Sequence, residues 1–180
     1  MIIPGLSPRL AQGRTGADLW QGQFELGYRL PFDLPANASI TPFARFHAAR
    51  LGQAAFTETG ADSLNLSVAA NTTTSLRSVL GVTLGATLPI DDDSPLAVQL
   101  RLGWMHEYAS LARPISASFT GGPGSNFTVY GAEGQRDAVA LNFLATLPFS
   151  GRARAFLRYD GEFASTAATH ALLAGFKIAW

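Results

Sequence analysis

The sequence predicts an all-β chain: an antiparallel transmembrane β-barrel, here a partial barrel of about seven long strands with two long loops on one rim. Three observations predict it. Stretches of about a dozen residues alternate apolar with polar or small side chains, as strands with two unlike faces do. Their connections alternate between short turns and long loops. Aromatic residues recur at strand ends, where an interfacial belt places them. Composition agrees. The charged fraction is 14%, well below the roughly 25% of ordinary globular domains, yet no run of about 18 uncharged apolar residues exists, so no transmembrane helix is expected. A length of 180 residues suits one domain. No basic segment with an apolar core follows Met1, so no signal peptide is expected. Lys plus Arg and Asp plus Glu are 13 each, which gives no reason to expect nucleic acid as a partner. Cysteine is absent, which removes disulfide and thiolate chemistry.

Residues 1–15, with Ile3-Pro4-Gly5, Ser7-Pro8 and Gly13, read as loop. The first strand is expected at about 17–30. Trp20, Gly22, Phe24, Leu26, Tyr28 and Leu30 share one face; Gln21, Gln23, Glu25, Gly27 and Arg29 share the other. Pro31 to Asn37 is rich in breakers and reads as a turn. A strand at about 38–51 follows, less clean in phase, because Phe43 joins the Arg45 and His47 side and Arg50 falls on the other. Residues 52–73 read as a long loop with its own short strand or hairpin. At 74–88 a strong strand sets Leu76, Leu80, Val82, Leu84, Ala86 and Leu88 against Arg77, Val79, Gly81, Thr83, Gly85 and Thr87. Pro89 to Pro95 is a short turn. Residues 96–108 alternate again and end on Trp104, His106 and Tyr108. Residues 109–133 form the second long loop, with a hairpin expected between 115–120 and 126–130. In 135–147, Asp137, Val139, Leu141, Phe143, Ala145 and Leu147 share a face. The turn at 148–151 leads to a strand at 152–163, whose five charges all lie on one face. The last strand is expected at 169–180, with His170, Leu172, Ala174, Phe176, Ile178 and Trp180 on one face.

Short turns fall near 31–37, 89–95 and 148–151; long loops fall near 52–73 and 109–134. Outer-membrane barrels segregate their connections in this way, with short periplasmic turns and longer outside loops. The last strand then runs from outside to periplasm, and the parity works for all seven strands. Trp20, Tyr28, Trp104, Tyr108, Tyr159 and Phe163 are the expected interfacial aromatics.

One constellation carries a functional reading. Glu25, Arg29, Arg45, Arg77, Arg101, Glu107, Arg136, Arg154, Arg158, Asp160, Glu162 and Lys177 are all expected on the face opposite the apolar stripe. A lipid-facing Arg or Lys at the bilayer midplane costs roughly 2–4 kcal/mol, whereas a hydrated pore removes that cost. The result is a polar, net-basic channel wall. Solvent-facing charges of a soluble sheet would segregate in the same way.

Other motifs carry no chemistry. Gly121-Gly122-Pro123-Gly124 lacks the Lys-Ser/Thr of a phosphate-binding loop. Asp91-Asp92-Asp93 lacks the spacing of a calcium loop. His47, His106 and His170 lack metal-ligand spacing and suit headgroup or wall positions. No Gly-x-Ser-x-Gly elbow exists. No catalytic residue, metal or cofactor is expected, and the chain is not expected to be an enzyme.

Several short stretches, taken in order, look like a family. They are Phe24-Glu25-Leu26-Gly27-Tyr28-Arg29, Pro42-Phe43-Ala44, Phe56-Thr57-Glu58, Ser75-Leu76-Arg77-Ser78, Leu102-Gly103-Trp104-Met105-His106-Glu107-Tyr108, Phe127-Thr128-Val129-Tyr130-Gly131, Arg158-Tyr159-Asp160-Gly161 and His170-Ala171-Leu172. From about residue 9 to the end the chain resembles the C-terminal part of the autotransporter β-domain of bacterial outer membranes. The resemblance implies a twelve-stranded barrel with a helix in its pore, which supports export of an N-terminal passenger by type V secretion. The seven strands would be its sixth to twelfth, and the two long loops extracellular. The passenger, the pore helix and the first strands are absent from this sequence, residues 1–15 being a loop remnant. The implied partners are outer-membrane lipid, the barrel-assembly machinery, and the missing passenger and strands. The implied assembly signal is the last strand, with Leu172, Phe176, Ile178 and the terminal Trp180, where Phe is commoner. Alternatives are a small free-standing pore and a soluble secreted β-sandwich that binds a partner.

Overall fold

The computed structural model describes residues 9–33, 35–91, 94–122 and 124–179. The expected Asp91-Asp92-Asp93 turn, Pro123 and Trp180 therefore lie wholly or partly outside the described residues, as does the loop at 1–8. The strands are β1 (Ala17–Gly27), β2 (Ser39–Gln53), β3 (Phe56–Thr57), β4 (Leu66–Val68), β5 (Asn71–Asp91), β6 (Ser94–Glu107), β7 (Pro114–Phe119), β8 (Phe127–Tyr130), β9 (Asp137–Ser150), β10 (Ala153–Ala164) and β11 (Ala168–Ile178). Among the described residues the only helical turns are two short 3-10 turns, Pro35–Asn37 and Asp62–Leu64.

Seven strands form one antiparallel sheet in the order β1-β2-β5-β6-β9-β10-β11, so every long strand pairs with the next long strand in the chain. Hairpin connection brings neighbours together without crossovers. β1 ends earlier than its alternation suggests, at Gly27, but the pairing continues past it: Tyr28 N–H donates to Pro42 O at 3.1 Å and Leu30 N–H to Ile40 O at 2.9 Å. β5 is longer than expected, 21 residues. At its far end Pro89 faces Pro95 and Asp91 faces Ser94, with a register shift between them, so the expected turn shrinks. Two prolines contribute no ladder donors, and a bulge is where a sheet tolerates them.

Cross-strand register fixes which residues share a face. One row runs Leu84–Leu100–Phe143–Tyr159–Leu172 across β5, β6, β9, β10 and β11. The adjacent row, on the other face, runs Thr83–Arg101–Asn142–Asp160–Ala171. The sheet bends toward this second face. β1 and β6 are separated by two strands, a distance of about 14 Å along a flat sheet at roughly 4.8 Å per strand. Yet Arg101 on β6 donates from Nη2 to Glu25 Oε2 on β1 at 2.7 Å.

Burial in this sheet is inverted relative to a soluble fold. Its buried side chains, Phe43, Met105, Ala138 and Glu107, lie on the face that carries the charges. The apolar stripe is exposed, with Leu172 at 71% and Phe176 at 75%.

The chain divides into two compact units. One holds the described residues of 23–47, 76–108 and 135–179, and so most of this sheet. The other holds those of 9–22, 48–75 and 109–134, and contains a four-stranded sheet, β3-β4-β7-β8. The hairpin expected in the second long loop is β7–β8, and the short strand expected in the first is β4. Their joining, with Ser67 opposite Ser118, was not legible beforehand. Alternation gives this sheet two faces. Thr57, Ser67, Ser116 and Thr128 carry a hydroxyl face, with Ser116 and Thr128 oxygens 3.2 Å apart. Phe119 and Phe127 meet at a tilt on the other, with ring centroids 5.7 Å apart.

Candidate functional site: the polar face of the seven-stranded sheet

Strand alternation brings charges from separate strands to one concave face. Glu25 on β1 is their centre. Its Oε2 accepts from Arg45 Nε at 2.6 Å and from Arg101 Nη2 at 2.7 Å. Arg101 also lies over Phe43, with its guanidinium carbon 3.6 Å from the ring centroid, a cation–π contact. The Phe43 ring occupies a recess made by two glycines that pair directly, Gly81 and Gly103. A Cβ on Gly81 would stand 2.8 Å from Phe43 Cε1, and one on Gly103 would stand 3.4 Å from Phe43 Cζ. Phe43 thus belongs among the charges, which explains why its strand looked out of phase.

A second group sits beside this one. Asp160 accepts from Arg158 Nε at 2.7 Å and from Asn142 Nδ2 at 2.6 Å. Phe43, Arg45, Arg101, Asn142, Asp160 and Glu162 are among the residues that line a recess of about 340 Å³. A third group lies at the long-loop end. Glu107, nearly fully buried, accepts from Arg77 Nε at 2.9 Å and from the Leu76 amide at 2.7 Å. Arg136 Nη1 donates to Glu107 O. Arg136 precedes β9 rather than lying within it, so it closes the rim by a backbone contact.

The remaining expected charges do not join these groups. Arg29 lies just past β1. Arg154 and Lys177 sit directly opposite each other on β10 and β11, two like charges at the short-turn end. Three ion-paired groups and one like-charge pair share this face, which carries both hydrogen-bond donors and acceptors.

On the opposite face, Trp20, Tyr28, Trp104 and Tyr108 are exposed, and Phe163 is at the edge of exposure. Tyr159 is mid-strand rather than at a strand end; its hydroxyl lies 2.7 Å from His170 Nδ1. Leu172, Phe176 and Ile178 are exposed along β11, with Phe149 meeting Phe176 edge-on at 6.1 Å. Sequence reasoning did not find Asn142 or the cluster formed by Asp137, His106 and Trp104. The available signal for the latter was a carboxylate in an otherwise apolar phase.

A family model described as autotransporter beta-domain matches residues 4–160. The chain belongs to the autotransporter β-domain family. Members of this family are outer-membrane translocator domains of type V secretion, β-barrels associated with a passenger. The matched span takes in the three charged groups on the β-domain's concave face and ends before β11, so the last strand, with its exposed Leu172, Phe176 and Ile178, lies outside it. No curated protein matches the chain at a significant level.

Proposed function

We propose that this β-domain chain forms the C-terminal wall of an outer-membrane translocator, its strands corresponding to the sixth to twelfth of a twelve-stranded barrel. It is non-enzymatic and supports export or display of an N-terminal passenger. The long-loop rim faces outside; the short turns face the periplasm. The charged face lines the pore, and the chain acts together with a passenger and further strands that are not in this sequence. The barrel-assembly machinery is the partner that reads the last strand. As this segment alone it does not export.

One observation carries the reading: the sheet exposes its apolar side chains and gathers its charges on the concave side. That arrangement is unfavourable in water and favourable in a bilayer around a hydrated lumen.

Neighbouring residues of β6 test it. Leu100, half-buried, is on the apolar face and Gln99 on the charged face. In a membrane wall Leu100→Arg costs roughly 2–4 kcal/mol at the midplane, while Gln99→Arg is tolerated. Folded, heat-modifiable protein in the outer membrane is the readout. Equal tolerance of both substitutions would exclude a lipid-facing stripe.

A further inference from the structure

β6 ends on the apolar face with Trp104, His106 and Tyr108, one above another. Trp104 and His106 are 5.6 Å apart, and His106 meets Tyr108 edge-on at 4.7 Å. Register places His106 between Ser78 on β5 and Asp137 on β9. Trp104 Nε1–H donates to Asp137 Oδ1 at 3.1 Å, and His106 Nδ1–H donates to the same oxygen at 2.8 Å. Asp137 Oδ2 takes no hydrogen bond among the described residues, and half of this side chain is exposed. Ser78 and Tyr108 hydroxyls are 3.0 Å apart beside it.

A carboxylate on the apolar face is out of place unless it lies at headgroup depth, where a lipid-side charge is least costly. Its position at the first residue of β9, on the long-loop rim, gives that depth. Two donors to Oδ1 hold the group in one orientation. They leave Oδ2 as a fixed acceptor for hydroxyl donors. The exposed faces of Trp104 and Tyr108 flank it, apolar bodies with polar tips. Hydroxyl donors beside an apolar ring face are the chemistry of a pyranose. An anionic phosphate does not fit, because the neighbours on this face, Leu76, Ser78 and Leu80 on β5 and Val139 and Leu141 on β9, include no cation.

We propose that Asp137, His106, Trp104 and Tyr108 form a binding site for the saccharide headgroup of a glycolipid in the outer leaflet. The proposal rests on the membrane-wall reading above.

The test uses the full chain with Trp20→Phe and Trp180→Phe, which leaves Trp104 as the sole tryptophan. The chain is assembled into nanodiscs of phospholipid alone, or of phospholipid with a glycolipid whose glucosamine disaccharide carries no phosphate. Insertion is scored by heat-modifiable migration. The expected result is a change in Trp104 fluorescence that titrates with glycolipid content. Asp137→Asn should weaken it about tenfold, the loss of roughly one hydrogen bond to a charged group. Free glucosamine disaccharide should give no response at matched concentration. Insertion with the same Trp104 signal in both lipids, or with an unchanged response in Asp137→Asn, overturns the site and leaves the membrane wall standing. A response to the free disaccharide equal to that of the glycolipid overturns the lipid source. A chain that fails to insert because its edges stay open is titrated instead in detergent micelles with and without the glycolipid, where an Asp137-dependent Trp104 response is again expected and its absence overturns the site.

Discussion

Arg101 spans the polar face to hold Phe43 from above, with its guanidinium carbon 3.6 Å from the ring centroid, while Gly81 and Gly103 receive the ring from below. The contact joins β2 and β6, which are not neighbours in the sheet, and so fixes curvature rather than pairing. Phe43→Ala should destabilise the folded sheet by about 3–5 kcal/mol, as for other buried aromatics, read from urea titration in detergent or lipid. Gly81→Ala should be harmful even in a Phe43→Ala background, because its Cβ would also meet the Leu102 carbonyl, which is backbone. Gly103→Ala should be milder, since Val79 and Phe43 are side chains that can move.

Glu107 is the most buried charge among the described residues. Removing one partner of a buried pair typically costs about 3–5 kcal/mol, so Glu107→Ala should destabilise the long-loop end strongly. Glu107→Gln keeps an acceptor for the Leu76 amide and should be partly spared. Hydrogen exchange at Leu76 distinguishes the two: rapid in Ala, slower in Gln.

Glu25 separates two guanidinium groups, Arg45 and Arg101. Glu25→Ala leaves them facing each other. The side chains are about one-quarter to one-third exposed, so solvent screening limits the loss to about 1 kcal/mol. The effect should shrink further in 1 M salt, where the screening length is about 3 Å. Chemical unfolding at low and high salt checks this.

β11 offers a paired comparison. Phe176 is on the exposed apolar face, and Lys177, opposite Arg154, is on the other. Phe176→Ser together with Trp180→Ser should block outer-membrane insertion of the intact parent barrel, whereas Lys177→Ser should be mild and relieve a like-charge pair. Cell fractionation with heat-modifiable migration reads both.

The strands and their faces were legible because period-two alternation persists over nine to thirteen residues in Trp20–Leu30, Leu76–Leu88 and Val139–Leu147. Partners within a face were not. Alternation gives Glu25, Arg45 and Arg101 the same face, but only the sheet's curvature brings β1 and β6 within 2.7 Å. The phase break at Phe43 and the carboxylate at Asp137 were visible as anomalies, and both became centres of interaction. The β4–β7 pairing was not legible, since Leu66–Val68 is three residues long and its partner lies about fifty residues away.

The direction of the two edge strands has a consequence for assembly. In an antiparallel sheet of seven, β1 and β11 point the same way. If this sheet curled onto itself, or if two copies met rim to rim in one membrane, the seams would join parallel strands. Turning one copy over would restore antiparallel seams, but it would put long loops on both sides of the bilayer. A complement with an odd number of strands has edges of the opposite sense and closes every seam antiparallel. Tandem duplication of this segment is therefore a poor route to a larger pore.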